Sequence, residues 1–245
     1  MSSLERWYEE AFRSDYRRVY AHRDVASARD EVAFLVGRGL SGSVLDLCCG
    51  FGRHTLAMRE RGLDALGLDL SMDLLREART LENGALLEGR LIRGDAAALP
   101  FRRGNFDGVV NLFSSFGYFG ELGDARMLSE IARVLKPKAI AILDMMNPAY
   151  VRANLRAHSS REGQDFLVRE TRTLADGGRR VTKEVELRLP EGGIRHWRED
   201  VRLYEASEMR LLLLGRGLSV ETVHGDFDGQ TFGPESPRML ICARR

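Results

Sequence analysis

Three carboxylates stand at the ends of short apolar runs in the first hundred residues. Asp46 lies in Val44-Leu45-Asp46-Leu47, Asp69 in Ala65-Leu66-Gly67-Leu68-Asp69-Leu70, and Asp95 just after Arg90-Leu91-Ile92. An ionised carboxylate accepts paired hydroxyl groups or an amino group strongly and with direction. The first run continues into Cys48-Cys49-Gly50-Phe51-Gly52-Arg53-His54. Glycine at 50 and 52 permits a sharp turn and lets a ligand come close to the main chain. A helix opening there offers unpaired N–H groups to a carboxylate or hydroxyl. The chemistry implied is the grip of a small polar ligand that carries hydroxyls or a carboxylate. A dinucleotide would require a third glycine for helix–strand packing. That position is Thr55 counted from Gly50, or Arg53 counted from Cys48.

The elements that hold these residues follow from hydrophobic spacing. A capping box at Ser2 and Glu5, with Leu4, Trp7, Tyr8, Ala11 and Phe12, predicts a first helix, and a second runs from about Val25 to Val36. Strands are expected at 44–47, 65–70, 90–92, 106–112 and 139–145, with helices at 54–61, 71–79 and 124–135 between them; Pro137 bars continuation of the last. Nearly continuous apolar strands alternating with helices signify a parallel sheet covered on both faces. From about Gln164, half-alternating segments at 166–174, 179–189 and 194–204 predict a three-strand antiparallel meander. A helix at 207–215 and a strand pair at 219–223 and 239–243 close the chain. The expected fold is a doubly wound Rossmann-like α/β sheet, mostly parallel with an antiparallel C-terminal strand, plus a small antiparallel β insertion. The expected organisation is an N-terminal helical lid over 1–37, the main domain over 38–150 and 205–245, and the insertion over 151–204 as a cap or a homodimer contact.

The order acid-x-Cys-x-Gly-x-Gly at 46–52 resembles the first motif of class I S-adenosylmethionine-dependent methyltransferases, with Cys48 replacing the first glycine. The resemblance implies S-adenosylmethionine as cofactor, Asp69 on its ribose, and Asp95 with Ala96 at its adenine. Arg93-Gly94-Asp95-Ala96 resembles that family's Gly-Asp-Ala stretch, and Ile131-Ala132-Arg133-Val134-Leu135-Lys136-Pro137 its helix before strand five. The expected cofactor-binding set is Asp46, Cys48, Gly50, Gly52, Asp69, Leu70, Asp95, Ala96 and Leu112, with Tyr16 and Tyr20 from the lid. Phe113-Ser114-Ser115-Phe116-Gly117-Tyr118 is similar to the strand-four end of amino-sugar N-methyltransferases. This implies a small-molecule acceptor, methylated at nitrogen rather than oxygen. Tyr118, Asn147 and Ser115 are the candidate catalytic residues, with positioning of the acceptor as their main expected role. His54 is expected to pack the helix. A nicotinamide-dependent oxidoreductase and a non-catalytic S-adenosylmethionine-binding module are the rival readings.

Composition narrows the partners. The formal net charge is +1 across 245 residues, which gives no field for nucleic acid or an anionic membrane. The aromatic Asn/Asp-Pro-Pro motif of nucleic-acid base methylases is absent. Three cysteines, two of them adjacent, fit a reducing compartment, and a charged N-terminus fits a cytoplasmic location. No metal-ligand spacing is present. His224-Gly225-Asp226-Phe227-Asp228-Gly229 lacks the spacing of a calcium loop and reads as a turn between the last two strands.

Overall fold

The computed structural model describes residues 7–13, 15, 19–20, 24–190 and 192–245. Strands β1 (Ser43–Leu47), β2 (Asp64–Asp69), β3 (Leu91–Arg93), β4 (Phe106–Asn111), β5 (Leu135–Met146), β10 (Ser219–His224) and β11 (Arg238–Arg244) form one sheet in the order β10-β11-β5-β4-β1-β2-β3. The pairs from β5 to β3 are parallel, whereas β11 runs antiparallel to β5 and β10. Strand order reverses between β1 and β4, the place where such sheets open a ligand crevice beyond their carboxyl ends.

Alternation within each buried strand divides the core in two. Val44, Val110, Ile140 and Ile142 meet α2 (Val25–Gly37) and α3 (Arg53–Glu60) through Ala28, Val32, Leu35, Ala57 and Met58. Leu45, Leu47, Val109, Ala141 and Leu143 face the other way. They meet α5 (Gly120–Val134) and α7 (Ala206–Leu214) through Met127, Leu128, Ile131, Met209 and Leu213. Period-2 strands between helices on both faces are therefore the physical content of the apolar runs. The short α4 (Met72–Glu77) follows β2 and is capped by Ser71, whose Oγ accepts from the Leu74 amide. Among the described residues no helix is long and apolar enough to cross a membrane.

α5 begins four residues ahead of the expected Asp124. The Asp124 carboxylate accepts from the Phe119 amide at 3.2 Å and from the Tyr204 hydroxyl at 2.8 Å, so it braces the helix start from within the core. Burial lifts its pKa from 3.8 to about 6. The folded protein thus holds this proton more tightly than the unfolded chain does. The stability this group contributes is complete below about pH 4 and lost as pH rises through 6, a fall of roughly 2–3 kcal/mol. Asp124→Asn is expected to flatten that slope, measured by urea unfolding at pH 5 and pH 7.5; an unaltered slope would assign the pH dependence elsewhere.

The second sheet holds four antiparallel strands, β6 (His158–Glu162), β7 (Leu167–Ala175), β8 (Arg180–Arg188) and β9 (Ile194–Arg202), in sequential order. β6 adds to the expected meander. It is an edge strand whose His-Ser-Ser-Arg-Glu sequence offers no apolar residue to read. α6 (Pro148–Asn154) precedes it. One face of this sheet is covered by the N-terminal segment: Trp7 and Ala11, beside and within α1 (Tyr8–Ala11), meet Val181, Val201 and Leu203, while Val19 meets Val168, Val185 and Leu187. The expected helix upstream of Trp7 lies outside the described residues.

Candidate active site

A cleft of about 410 Å³ opens at the carboxyl ends of β1, β2 and β4. Its floor includes Asp46, Cys48, Gly50, Asp69, Leu70, Asp95 and Ala96; its opposite wall includes Leu112, Phe113, Ser115 and Tyr118. Tyr8 and Phe12 line it from the N-terminal segment. Ten of the expected cofactor and acceptor residues thus share one cavity of a size suited to a nucleoside-sized ligand.

Local conformation explains the floor. After β1 the chain turns through Cys48 (φ 60°), Gly50 (φ 59°) and Gly52 (φ 78°) before α3 begins. Asp69 Oδ2 accepts from the Gly50 amide at 2.8 Å, and Oδ1 accepts from the Ser71 amide at 2.8 Å. Burial raises the Asp69 pKa, while these backbone bonds pull it down. Each carboxylate oxygen retains a lone pair, so the pair of oxygens can still accept two vicinal hydroxyls. Asp95 Oδ1 accepts from the Ala97 amide at 2.8 Å, and Oδ2 has no hydrogen-bond partner among the described residues. That oxygen can accept an amino group. Asp46 is buried, which raises its pKa, and its Oδ2 accepts from Thr55 Oγ1 at 2.6 Å.

Cys48 occupies the left-handed region without being glycine, a conformation that costs an L-residue about 1–2 kcal/mol. Burial lifts its thiol pKa well above the ordinary value, so the sulfur stays protonated at neutral pH. Cys48→Gly is expected to raise stability by about 0.5–1 kcal/mol, since relief of strain outweighs the added freedom of the unfolded chain. A melting curve checks it, and a lowered midpoint would show that the side chain's packing matters more than the strain.

The structure sets three of the expected residues apart from the cleft. Gly52 does not line it; a Cβ there would lie 3.2 Å from Leu87 and 3.4 Å from Leu91, so this glycine serves the turn and close packing against the β3 side. Asn147 is not among the lining residues. It is the buried N-cap of α6, accepting from the Ala149 amide and donating through Nδ2 to the carbonyls of Gly233 and Ser236 at 2.9 and 2.8 Å. Tyr20 faces the insertion, where its hydroxyl donates to Glu199 at 2.6 Å beside Lys183. Tyr16 lies outside the described residues.

The opposite wall is aromatic. The Tyr118 ring lies 4.8 Å from Trp7 and stacks on Phe12 at 5.7 Å, and Phe119 meets Tyr8 at 5.0 Å. Trp7 Nε1 donates to the Asp200 carbonyl of β9, and Ser71 Oγ donates to the Phe12 carbonyl at 2.5 Å. α1 is therefore fastened to both the insertion and the floor of the cleft. Ser115 Oγ donates to the Leu112 carbonyl at 3.3 Å. Gly117 (φ 97°) brings this loop against β9, its carbonyl accepting from the Arg202 amide at 2.9 Å.

Sequence reasoning missed a buried ionic cluster beside the cleft. Phe113 and Ser114 both have positive φ, with Phe113 N donating to Asp144 Oδ2. The Phe113 ring is faced by two guanidiniums, Arg53 and Arg238, each 5.0 Å from its centroid. Arg238 pairs with Asp144 at 2.6 Å; Glu31 of α2 receives His54 at 2.5 Å and Arg53 at 3.1 Å. Burial pushes the Glu31 carboxyl up, but its contacts with His54 and Arg53 outweigh it and hold it below its ordinary value. His54, expected to pack a helix, is buried against Glu31 of α2 and also borders the cleft with Arg53. One signal was available: an arginine in the first helical turn opposes the helix dipole and calls for a reason.

A strand-switch crevice with a glycine turn and three floor carboxylates has the form of a nucleoside site in an α/β fold. The Methyltransferase domain family matches residues 44–138. Cypemycin N-terminal methyltransferase of a Streptomyces species is 30% identical over 218 residues, covering 85% of each chain. The dTDP-3-amino-3,4,6-trideoxy-alpha-D-glucopyranose N,N-dimethyltransferase of Streptomyces venezuelae is 28% identical over 232 residues, covering 85% of this chain and 89% of its own. A solved S-adenosylmethionine-dependent methyltransferase from Clostridium acetobutylicum shares the fold, with a TM-score of 0.78 at 17% identity over 94% of this chain and 95% of its own. The chain belongs to the class I S-adenosylmethionine-dependent methyltransferases. It is an enzyme, and its cofactor is S-adenosylmethionine.

Proposed function

We propose that this enzyme methylates a nitrogen atom of a small molecule, with the donor held on the floor of the cleft and the acceptor against its aromatic wall. The observation that carries the reading is Asp69, whose two oxygens are each fixed by a backbone N–H and remain able to receive a ribose diol. Asp95 and Ala96 take the adenine edge, Leu70 and Leu112 enclose the base, and the Cys48–Gly50 turn with Asp46 meets the amino-acid end. The relatives named above support nitrogen, since the name of one specifies an N,N-dimethylation on an amino sugar and that of the other a peptide N-terminus.

When bound, the sulfonium supplies a methyl group already activated for displacement. The protein's task is then alignment, worth several powers of ten in rate when the reacting atoms are held in line. Tyr118 and Ser115 position the acceptor, and the Trp7–Phe12–Tyr118 aromatic group excludes water from it. An amine acceptor must arrive neutral or lose its proton before attack. Residues 38–150 with 205–245 hold the donor together with α2, which packs on the same sheet, and the Trp7–Phe12 segment with residues 151–204 closes over the acceptor. The balanced charge favours a small acceptor over nucleic acid, and three free thiols suit the cytoplasm.

The test is transfer from S-adenosylmethionine to a panel of primary amines, including amino sugars, paired with the matching alcohols, and followed by mass spectrometry. Methylated amines with unreacted alcohols are expected. Methylation of the alcohols alone, or donor binding with no transfer to any acceptor, would overturn the reading.

A further inference from the structure

The cleft contains three arginines among its described lining residues: Arg13, Arg53 and Arg93. Arg13 and Arg93 are exposed, and Arg93 Nε already donates to the Leu70 carbonyl. Arg53 differs. It is 4% exposed, and burial lowers its pKa. Its Nη1 is held by Glu31 at 3.1 Å, Ser27 Oγ at 3.3 Å and the Asp24 carbonyl at 3.4 Å. Its Nη2 is buried with no hydrogen-bond partner among the described residues. A buried cationic N–H without an acceptor is costly to keep. The other cation on the Phe113 ring, Arg238, is already matched by Asp144 and Asp226. Arg53 also opens α3 immediately after the glycine turn, where N–H groups of a helix start favour an anion and a cation is otherwise misplaced.

We infer that Arg53 is the receptor for the donor's carboxylate, with the first turn of α3 beside it and Glu31, Ser27 and Asp24 fixing its guanidinium. Arg53 and Asp46 then stand on either side of the glycine turn with opposite charge, complementary to a zwitterionic amino-acid end. This rests on the cleft being the S-adenosylmethionine site and adds which residue recognises the anionic end.

The experiment compares calorimetric binding of S-adenosylmethionine and of its decarboxylated analogue, which keeps the sulfonium, the amine and the nucleoside. Wild-type protein should prefer the carboxylated form. Arg53→Met should weaken S-adenosylmethionine by about 10- to 100-fold, the range for a charge-assisted pair, and leave the analogue nearly unchanged. Arg53→Lys should fall between and carries the comparison if the methionine variant does not fold. Equal losses for both ligands would make Arg53 a structural residue and overturn the inference. So would unchanged donor binding with a raised KM for the acceptor, which would assign the guanidinium to an anionic group of that substrate. If neither ligand binds wild-type protein, the donor-site reading itself fails, a result distinct from these.

Discussion

Asp69→Ala is expected to weaken S-adenosylmethionine binding by about 1–3 kcal/mol, roughly 5- to 150-fold in Kd. The loss has two sources. The ribose loses a paired acceptor, and the Gly50 and Ser71 amides lose the oxygens that fix them at 2.8 Å each. Asp69→Asn keeps an acceptor without the charge and should lie between wild type and alanine. Calorimetry reads the affinity and a melting curve reads the fold. An affinity within twofold of wild type in a folded Asp69→Ala protein would remove this residue from the donor site.

Gly117→Ala should have the largest effect on stability. A Cβ there would stand 2.4 Å from the Arg202 carbonyl oxygen and 3.3 Å from its amide, main-chain atoms that cannot rotate away. The left-handed φ of 97° adds its own penalty for an L-residue. Together these should cost about 3 kcal/mol or more. For a chain of this size that is a drop of roughly 6–12 °C in melting temperature. Relief requires β9 to move off the loop, and β9 is where Trp7 Nε1 is anchored, so the Trp7–Tyr118 contact should loosen too. Turnover should therefore fall more than donor affinity does. A midpoint within about 2 °C of wild type would show that the loop and sheet separate freely.

The floor of the cleft was legible because its parts are local. Strand, turn and helix follow one another between residues 43 and 60, and each floor carboxylate lies at or just past the end of its own strand. Asn147 and Tyr20 read differently in the fold because their partners are remote. Asn147 is consumed by carbonyls 86 to 89 residues away, and Tyr20 by Glu199, 179 residues away. Periodicity carries no information about such pairings. The same applies to Arg53 with Glu31 and Arg238 with Asp144, each of which joins separate elements. β6 escaped because an edge strand with polar residues on both faces lacks the alternation that marks burial. Gly117 stood inside a motif noted for its tyrosine, yet its need for glycine arises only when β9 returns some 85 residues later.

The Ser71 hydroxyl has a single hydrogen, given to the Phe12 carbonyl, while its lone pair caps α4 and its own amide holds Asp69. Any movement of the Phe12 carbonyl away from Ser71 breaks that tie at the residue next but one to Asp69. The N-terminal wall of the cleft and the carboxylate on its floor are thereby joined through one short side chain, so a change at either is felt at the other.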